Sequence, residues 1–131
     1  MRYVDTSFWI ALESRSDVHS ADARTLLESN LDDLVTTNQV LGEAWTWFAR
    51  RKGHDTAVKV CDRMRRSRAL AIVHVDERTE DVAWRWLRRH DERTYSFVDA
   101  TSFAVMRERR IREALAFDAD FSAAGFVELR P

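Results

Sequence analysis

The sequence predicts an α/β fold, a three-layer α/β/α sandwich around a central, mostly parallel sheet of about five strands. Three observations lead there. Short apolar runs alternate along the chain with longer stretches of helical periodicity. Their order, β-α-β-α-β-α-β-β, is that of a parallel sheet covered by helices on both faces. Three Gly and a single Pro, at the last position, leave no linker and imply helices joined by short turns. At 131 residues and 45% hydrophobic content, the chain fits one compact domain over residues 1–131 with a substantial core.

Arg2-Tyr3-Val4 reads as the opening strand, and the apolar run from Phe8 to Leu12 begins helices that continue to about Asn30. "DLVTT" (33–37) is the second strand, a long helical stretch covers Gln39 to Ser67, and "LAIVHV" (70–75) is the third strand. Helices over Asp81–Arg89 and Ser96–Arg109 precede "EALAF" (113–117), and "FVEL" (126–129) closes the sheet. On the helix from Gln39, Leu41, Ala44, Trp45 and Phe48 define the expected core face, which places Glu43 about 160° away with Trp47 and Arg50. On the helix from Ser96, a rotation of about 100° per residue puts Asp99 at the head of an apolar stripe with Phe103 and Met106. Trp47 and Trp84 are expected to project off the apolar faces of their helices, and the Arg residues around Trp84 suit base stacking or, more readily, a protein contact.

Composition excludes several function classes. With 21 basic and 22 acidic residues the formal charge is −1, so no global field draws the chain to nucleic acid or a membrane, and any such preference must be local. No stretch of about eighteen apolar residues occurs, and the N-terminus has no charged leader with an apolar segment behind it. A cytoplasmic protein is expected. Cys61 is alone, which rules out an intramolecular disulfide, and His19, His54, His74 and His90 are too scattered to suggest a zinc motif.

The acids are more informative. Most lie in polar stretches such as "DERTED", "HDERT" and "RERRIRE", which read as solvated faces. Four motifs instead set acids among apolar residues: "VDTSF", "LGEAW", "FVDAT" and "AFDADF". Burying an ionised carboxylate costs several kcal/mol, of order, unless it is paired or bound to a cation. Asp5, at a strand-to-helix junction, has an ordinary use as an N-cap. Asp99 completes an S-x-x-D capping box with Ser96. Glu43 reads equally as a solvated residue or as part of a cleft lining, and Asp118 and Asp120 form a D-x-D loop that alone is a weak signal. In a parallel sheet, however, ligands collect beyond the C-terminal strand ends, where both Asp5 and Asp118 lie. Four carboxylates meeting there without basic partners would repel one another, for which a bound cation is a usual remedy. Oxygen ligands without a Cys or His cluster point to Mg²⁺ or Mn²⁺.

Across its whole length the chain resembles the PIN-domain ribonucleases, and within them the VapC-type toxins of bacterial toxin–antitoxin pairs. "VDTSFWIAL" resembles the family's N-terminal acidic motif, "QVLGEAW" its helix-borne Glu, "YSFVDATSFAVM" its central Asp motif and "AFDADFSAAGF" its last acidic motif. The resemblance implies a PIN-like fold and assigns Asp5, Glu43, Asp99 and Asp118 to the family's acidic quartet. Ser7 and Ser96 match the hydroxyl residues that hydrogen-bond around it, while Asp120 matches a position at which family members vary. "YSFVDATSFAVM" and "FSAAGFVELRP" further look like the branch that cuts the sarcin–ricin loop of large-subunit rRNA; tRNA is the other substrate class.

The expected mechanism has Asp5 and Asp99 ligating Mg²⁺ directly, with Glu43 and Asp118 completing the coordination through water or a second ion. Water then attacks phosphorus, leaving 5′-phosphate and 3′-hydroxyl ends. RNA would approach over a basic rim, for which "ARRK" (49–52), "RMRRSR" (63–68) and "RERRIR" (107–112) are candidates. The resemblance also implies a homodimer and a VapB-type antitoxin that blocks the acidic groove and makes any DNA contact, with no membrane partner. Two other readings stay open. A phosphotransfer or receiver-like domain also sets acids at strand ends but needs a nearby Lys, and Lys52 and Lys59, the sole lysines, lie far from the acidic motifs in sequence. A non-catalytic dimeric module binding RNA or protein explains Asp5 and Asp99 as caps and leaves Glu43 and Asp118 to coincidence.

Overall fold

A computed structural model describes residues 1–29 and 32–131. Strand β1 (Arg2–Val4) leads into α1 (Thr6–Glu13) and α2 (Ser20–Glu28), and β2 (Leu34–Thr37) into α3 (Asn38–Lys52) and α4 (His54–Arg66). After β3 (Leu70–Val73) come α5 (Glu77–Arg89) and α6 (Phe97–Glu108), then β4 (Glu113–Leu115), α7 (Asp120–Ala123) and β5 (Val127–Glu128). The strands form one sheet of order β3-β2-β1-β4-β5, and every pairing is parallel. The fold is therefore the expected α/β/α sandwich on five strands.

The order reverses at β1, whose neighbours β2 and β4 leave on opposite sides, and such a reversal opens a crevice beyond the C-terminal strand ends. Beneath it the sheet is dry. Tyr3, Val4 and Leu115 are fully buried, and the Tyr3 hydroxyl donates to Ser102 Oγ at 2.6 Å, joining β1 to α6. Thr36 Oγ1 donates to the Val4 carbonyl at 2.8 Å, satisfying a backbone acceptor at the edge of the crevice. Helix α6 buries every residue from Asp99 to Met106, so it sits inside the molecule and carries its acid with it.

Several boundaries differ from the sequence reading for identifiable reasons. The stretch from Gln39 to Ser67 is two helices, because Gly53 takes φ +97°, a conformation that suits glycine and ends α3. The helix expected from Asp81 begins at Glu77, since Asp76 caps it by accepting from the Thr79 amide at 2.9 Å. The third strand stops at Val73, and the Val75 amide donates instead to Asn38 Oδ1 at 2.7 Å. Strands β4 and β5 are shorter than "EALAF" and "FVEL", and one turn of helix, α7, separates them. The expected helix end at Asn30 lies outside the described residues.

The core stripe of α3 is also rotated from the one expected. Val40, Ala44 and Phe48 are buried, with Trp47 packed against the core and Arg51 over its ring at 5.3 Å. Trp45 is 38% exposed and meets His54 edge-on, so Trp45 and Trp47 exchange the roles assigned to them. Glu43, three residues after Val40 and four before Trp47, consequently borders the buried stripe instead of opposing it. Trp84 does project outward, 49% exposed, and lies on Phe97 at 4.5 Å between ring centres. Among the described residues no helix is long and apolar enough to cross a membrane.

Candidate metal centre

Asp5 follows the last residue of β1 in extended conformation and caps α1. Its Oδ2 accepts from the Ser7 amide at 3.2 Å and the Ser7 hydroxyl at 2.7 Å. Ser7 Oγ in turn accepts from the Phe117 amide at 3.0 Å, so one hydroxyl ties the exit of β1 to the exit of β4. The Asp5 amide adds a bond to the Leu115 carbonyl at 3.1 Å. Oδ2 serves the helix cap, and no hydrogen bond among the described residues engages Oδ1.

Asp99 repeats the device. The Ser96 amide donates to its Oδ2 at 3.0 Å and the Asp99 amide donates to Ser96 Oγ at 2.9 Å, completing the capping box on α6. Asp118 comes from the loop after β4, where its Oδ1 accepts from the Asp120 amide at 3.1 Å across a turn closed by left-handed Ala119, φ +67°. One carboxylate oxygen from each of Asp5, Asp99 and Asp118 lies within 4.8 Å of the other two, with Asp5 and Asp99 buried and Asp118 open to solvent.

Charge explains why this arrangement needs a partner. Burial lifts the Asp5 carboxyl to about 6, against the pull of its two bonds from Ser7 and helped by the charges of Asp99 and Glu43. Asp118 is pushed up by the protein around its inner side and by the charge of Asp5, although water at its outer edge screens part of this. Burial raises Asp99, where the Asp120 charge adds to the effect. Glu43 rises through burial and through the charges of Asp99 and Asp118, so this α3 carboxylate lies within their electrostatic reach. Three acids from separate elements therefore meet through their oxygens, and Glu43 feels the charge of two of them. The donor set, carboxylate oxygens with no sulfur or imidazole among them, fits a hard divalent cation.

Asp120 goes elsewhere. It is the first residue of α7, and its Oδ1 accepts from Arg93 Nε at 3.0 Å and from an Arg93 terminal nitrogen at 2.8 Å. Of the D-x-D pair, only Asp118 joins the other acids. Arg93 itself was hidden in "HDERT", a stretch that reads as solvated; the available clue was its position three residues before the Ser96 cap. Arg130, which carries no signal in the sequence, donates to the Ala116 carbonyl at 2.8 Å and covers the Phe117 ring at 4.6 Å, bracing the strand end that carries Asp118.

The basic runs are only partly free. Arg63 pairs with Glu13, and Arg107 lies over the rings of Trp86 at 5.6 Å and Phe126 at 5.1 Å. Arg50, Arg65 and Arg66 remain on exposed final helical turns.

The PIN domain family model matches residues 2–127. The 23S rRNA-specific endonuclease VapC20 of Mycobacterium tuberculosis is 53% identical over 131 residues, covering 100% of this chain and 99% of the relative. The crystal structure of M. tuberculosis VapC20, described as a sarcin–ricin loop cleaving toxin, superposes with a TM-score of 0.95 at 52% identity, covering 100% of both chains. Two more distant structures share the fold alone. A toxin–antitoxin complex from Klebsiella pneumoniae has a TM-score of 0.65 at 15% identity over 95% of this chain and 92% of that one. VapBC2 from Rickettsia felis, bound to a DNA fragment from its promoter, has a TM-score of 0.68 at 13% identity over 98% and 97%.

Proposed function

The chain belongs to the PIN-domain family, and from that premise we propose that it is a divalent-metal-dependent endoribonuclease toxin that hydrolyses 23S rRNA in the sarcin–ricin loop. The observation that carries this reading is the meeting of Asp5, Asp99 and Asp118 oxygens within 4.8 Å at the strand-order reversal. Full-length identity of 53% to a 23S rRNA-specific endonuclease supports the substrate class.

Asp5, Asp99 and Asp118 would hold Mg²⁺ or Mn²⁺, with Glu43 at its side. When bound, such an ion neutralises the hollow, polarises a phosphoryl oxygen and makes water a better nucleophile. Ser7 and Ser96 each keep one carboxylate oxygen turned toward its helix, leaving the other for the ion. Glu43, with its raised proton affinity, accepts a hydrogen bond from the attacking water and orients it. The water oxygen would form the new bond to phosphorus, passing its proton to Glu43, as the P–O3′ bond breaks and the leaving 3′ oxygen takes a proton from solvent. The ribose 2′-OH has no role, so the ends are 5′-phosphate and 3′-hydroxyl.

This activity belongs to the whole chain as a single PIN-like domain, 1–131, acting in the cytoplasm where ribosomal RNA resides. A VapB-type antitoxin would restrain it by laying a basic side chain into the acidic hollow, and any DNA contact would be the antitoxin's. A homodimer is the expected assembly. The test is a synthetic sarcin–ricin hairpin incubated with purified protein and Mg²⁺ or Mn²⁺. A single cut with a 5′-phosphate, lost on chelation and in Asp5→Asn, is expected; a 2′,3′-cyclic phosphate, or equal cutting by Asp5→Asn, would reject the mechanism.

A further inference from the structure

We infer that Arg93 is a built-in cation of the acidic hollow that keeps Asp120 away from the metal and limits the centre to one divalent ion. The inference rests on the metal-dependent reading above and concerns how many ions the site takes.

Beside the cluster of Asp5, Asp99 and Asp118, the Asp120 side chain is held apart by a guanidinium. Arg93 reaches across from the loop between α5 and α6 and donates through Nε and a terminal nitrogen to the same Asp120 oxygen, at 3.0 and 2.8 Å. Two donors on one oxygen give a charge-assisted grip that also fixes the guanidinium plane. Arg93 is close enough for its charge to act on Asp99 and for that of Asp118 to act on it, so it belongs to the same electrostatic cluster as the proposed ligands.

Asp120 thus divides its work. Its backbone amide holds Asp118 in place at 3.1 Å, and its side chain holds Arg93. A second ion would share carboxylates with the first and draw on a further acid beside them, and Asp120, whose amide already binds Asp118, is such an acid. With Arg93 attached, the Asp120 Oδ1 is already engaged, and an incoming dication would also meet a positive charge. Arg93 therefore competes with a second ion for Asp120. It is a positioning residue, acting on the metal through Asp120.

The experiment is to count bound Mn²⁺ on the full-length protein by calorimetry and by loss of the free-ion electron paramagnetic resonance signal. Wild type, Arg93→Ala, Arg93→Lys, Asp120→Asn, Arg93→Ala/Asp120→Asn and Asp5→Asn are compared, each checked for folding by circular dichroism. One ion is expected in wild type and in Arg93→Lys, and a second in Arg93→Ala that disappears in the double variant. Asp120→Asn should change the affinity of the single site by less than about threefold, well below the tenfold or more that follows loss of a group bracing a ligand. Two ions in wild type, one ion in Arg93→Ala, or a tenfold loss in Asp120→Asn would overturn the inference while leaving the metal-dependent reading intact. Absence of binding in wild type, or binding unchanged in Asp5→Asn, would instead bring down that reading and the inference with it.

Discussion

The two sides of the acidic hollow are built on different physics. On one side, Asp5 and Asp99 are buried at helix starts, and each has one oxygen locked by a serine two or three residues away. On the other, Asp118 and Asp120 stand on an exposed turn, held by a backbone amide and by Arg93. Packing and capping place the first pair before any ligand arrives. The second pair depends on one backbone bond and one partly exposed ion pair. The first pair is thus a rigid wall of the site, and the second is held by fewer and more exposed bonds.

Removing a ligand from the rigid wall should have the largest effect. Asp5→Asn or Asp99→Asn keeps the shape and most of the cap but deletes the charge, and RNA cleavage should fall by about a thousandfold or more, since metal stabilisation of the transition state is worth several kcal/mol. Single-turnover cleavage of the hairpin measures it. A loss of less than tenfold in both variants would mean that this wall does not hold the ion.

Next come the serines. Ser7→Ala frees Asp5 Oδ2 and also abandons the Phe117 amide, uncoupling the exits of β1 and β4. Groups that brace a metal ligand typically contribute 10- to 100-fold in affinity, so Mn²⁺ binding should weaken by about that factor. Titration of Mn²⁺ into Ser7→Ala tests this, and unchanged affinity would show that the rigidity is dispensable.

The same contrast explains what could be read from the sequence. Asp5 and Asp99 were legible because local rules place them: a strand end, a cap, a capping box and a helical stripe are all encoded within a few residues. Glu43 was identified as a site candidate on a misplaced helix face, because Trp45 and Trp47 look alike in composition and only tertiary packing decides which is buried. Arg93 and Arg130 were illegible for a different reason. Their partners, Asp120 and Ala116, lie 27 and 14 positions away, and no local pattern records such a pairing. The split of the long helical stretch needed only the positive φ of Gly53, a signal that helical periodicity overrides.

Protonation offers a smaller but more general comparison. Asp5 binds its proton more tightly in the folded chain, near 6, than in the unfolded chain, near the ordinary value of 3.8. Its contribution to stability is therefore fully present below about 4 and is lost as pH rises through about 6. In the metal-free protein, the melting temperature of Asp5→Asn relative to wild type should increase from pH 4 to pH 7. Mg²⁺ should raise the wild-type melting temperature at pH 7.5 and have little effect at pH 5, where protonated ligands resist the ion. Melting curves with and without Mg²⁺ decide it; a wild-type advantage that grows with pH in the absence of metal would contradict the sign.

The smallest effect separates a cap that only caps from a cap that also serves the hollow. Asp76 starts α5 by accepting from the Thr79 amide at 2.9 Å, fully in solvent, whereas Ser96 starts α6 and engages Asp99. Replacing either by Ala removes one capping interaction, worth about 1 kcal/mol of stability. Asp76→Ala should stop there, with Mn²⁺ affinity unchanged, because nothing links its carboxylate to the acids. Ser96→Ala should lose similar stability and also weaken Mn²⁺ binding, because its hydroxyl anchors the Asp99 backbone. Chemical denaturation and Mn²⁺ titration on the two variants make the comparison. Equal affinity in both would mean that the first turn of α6 orients Asp99 without its serine, and that the rigid wall depends on packing alone.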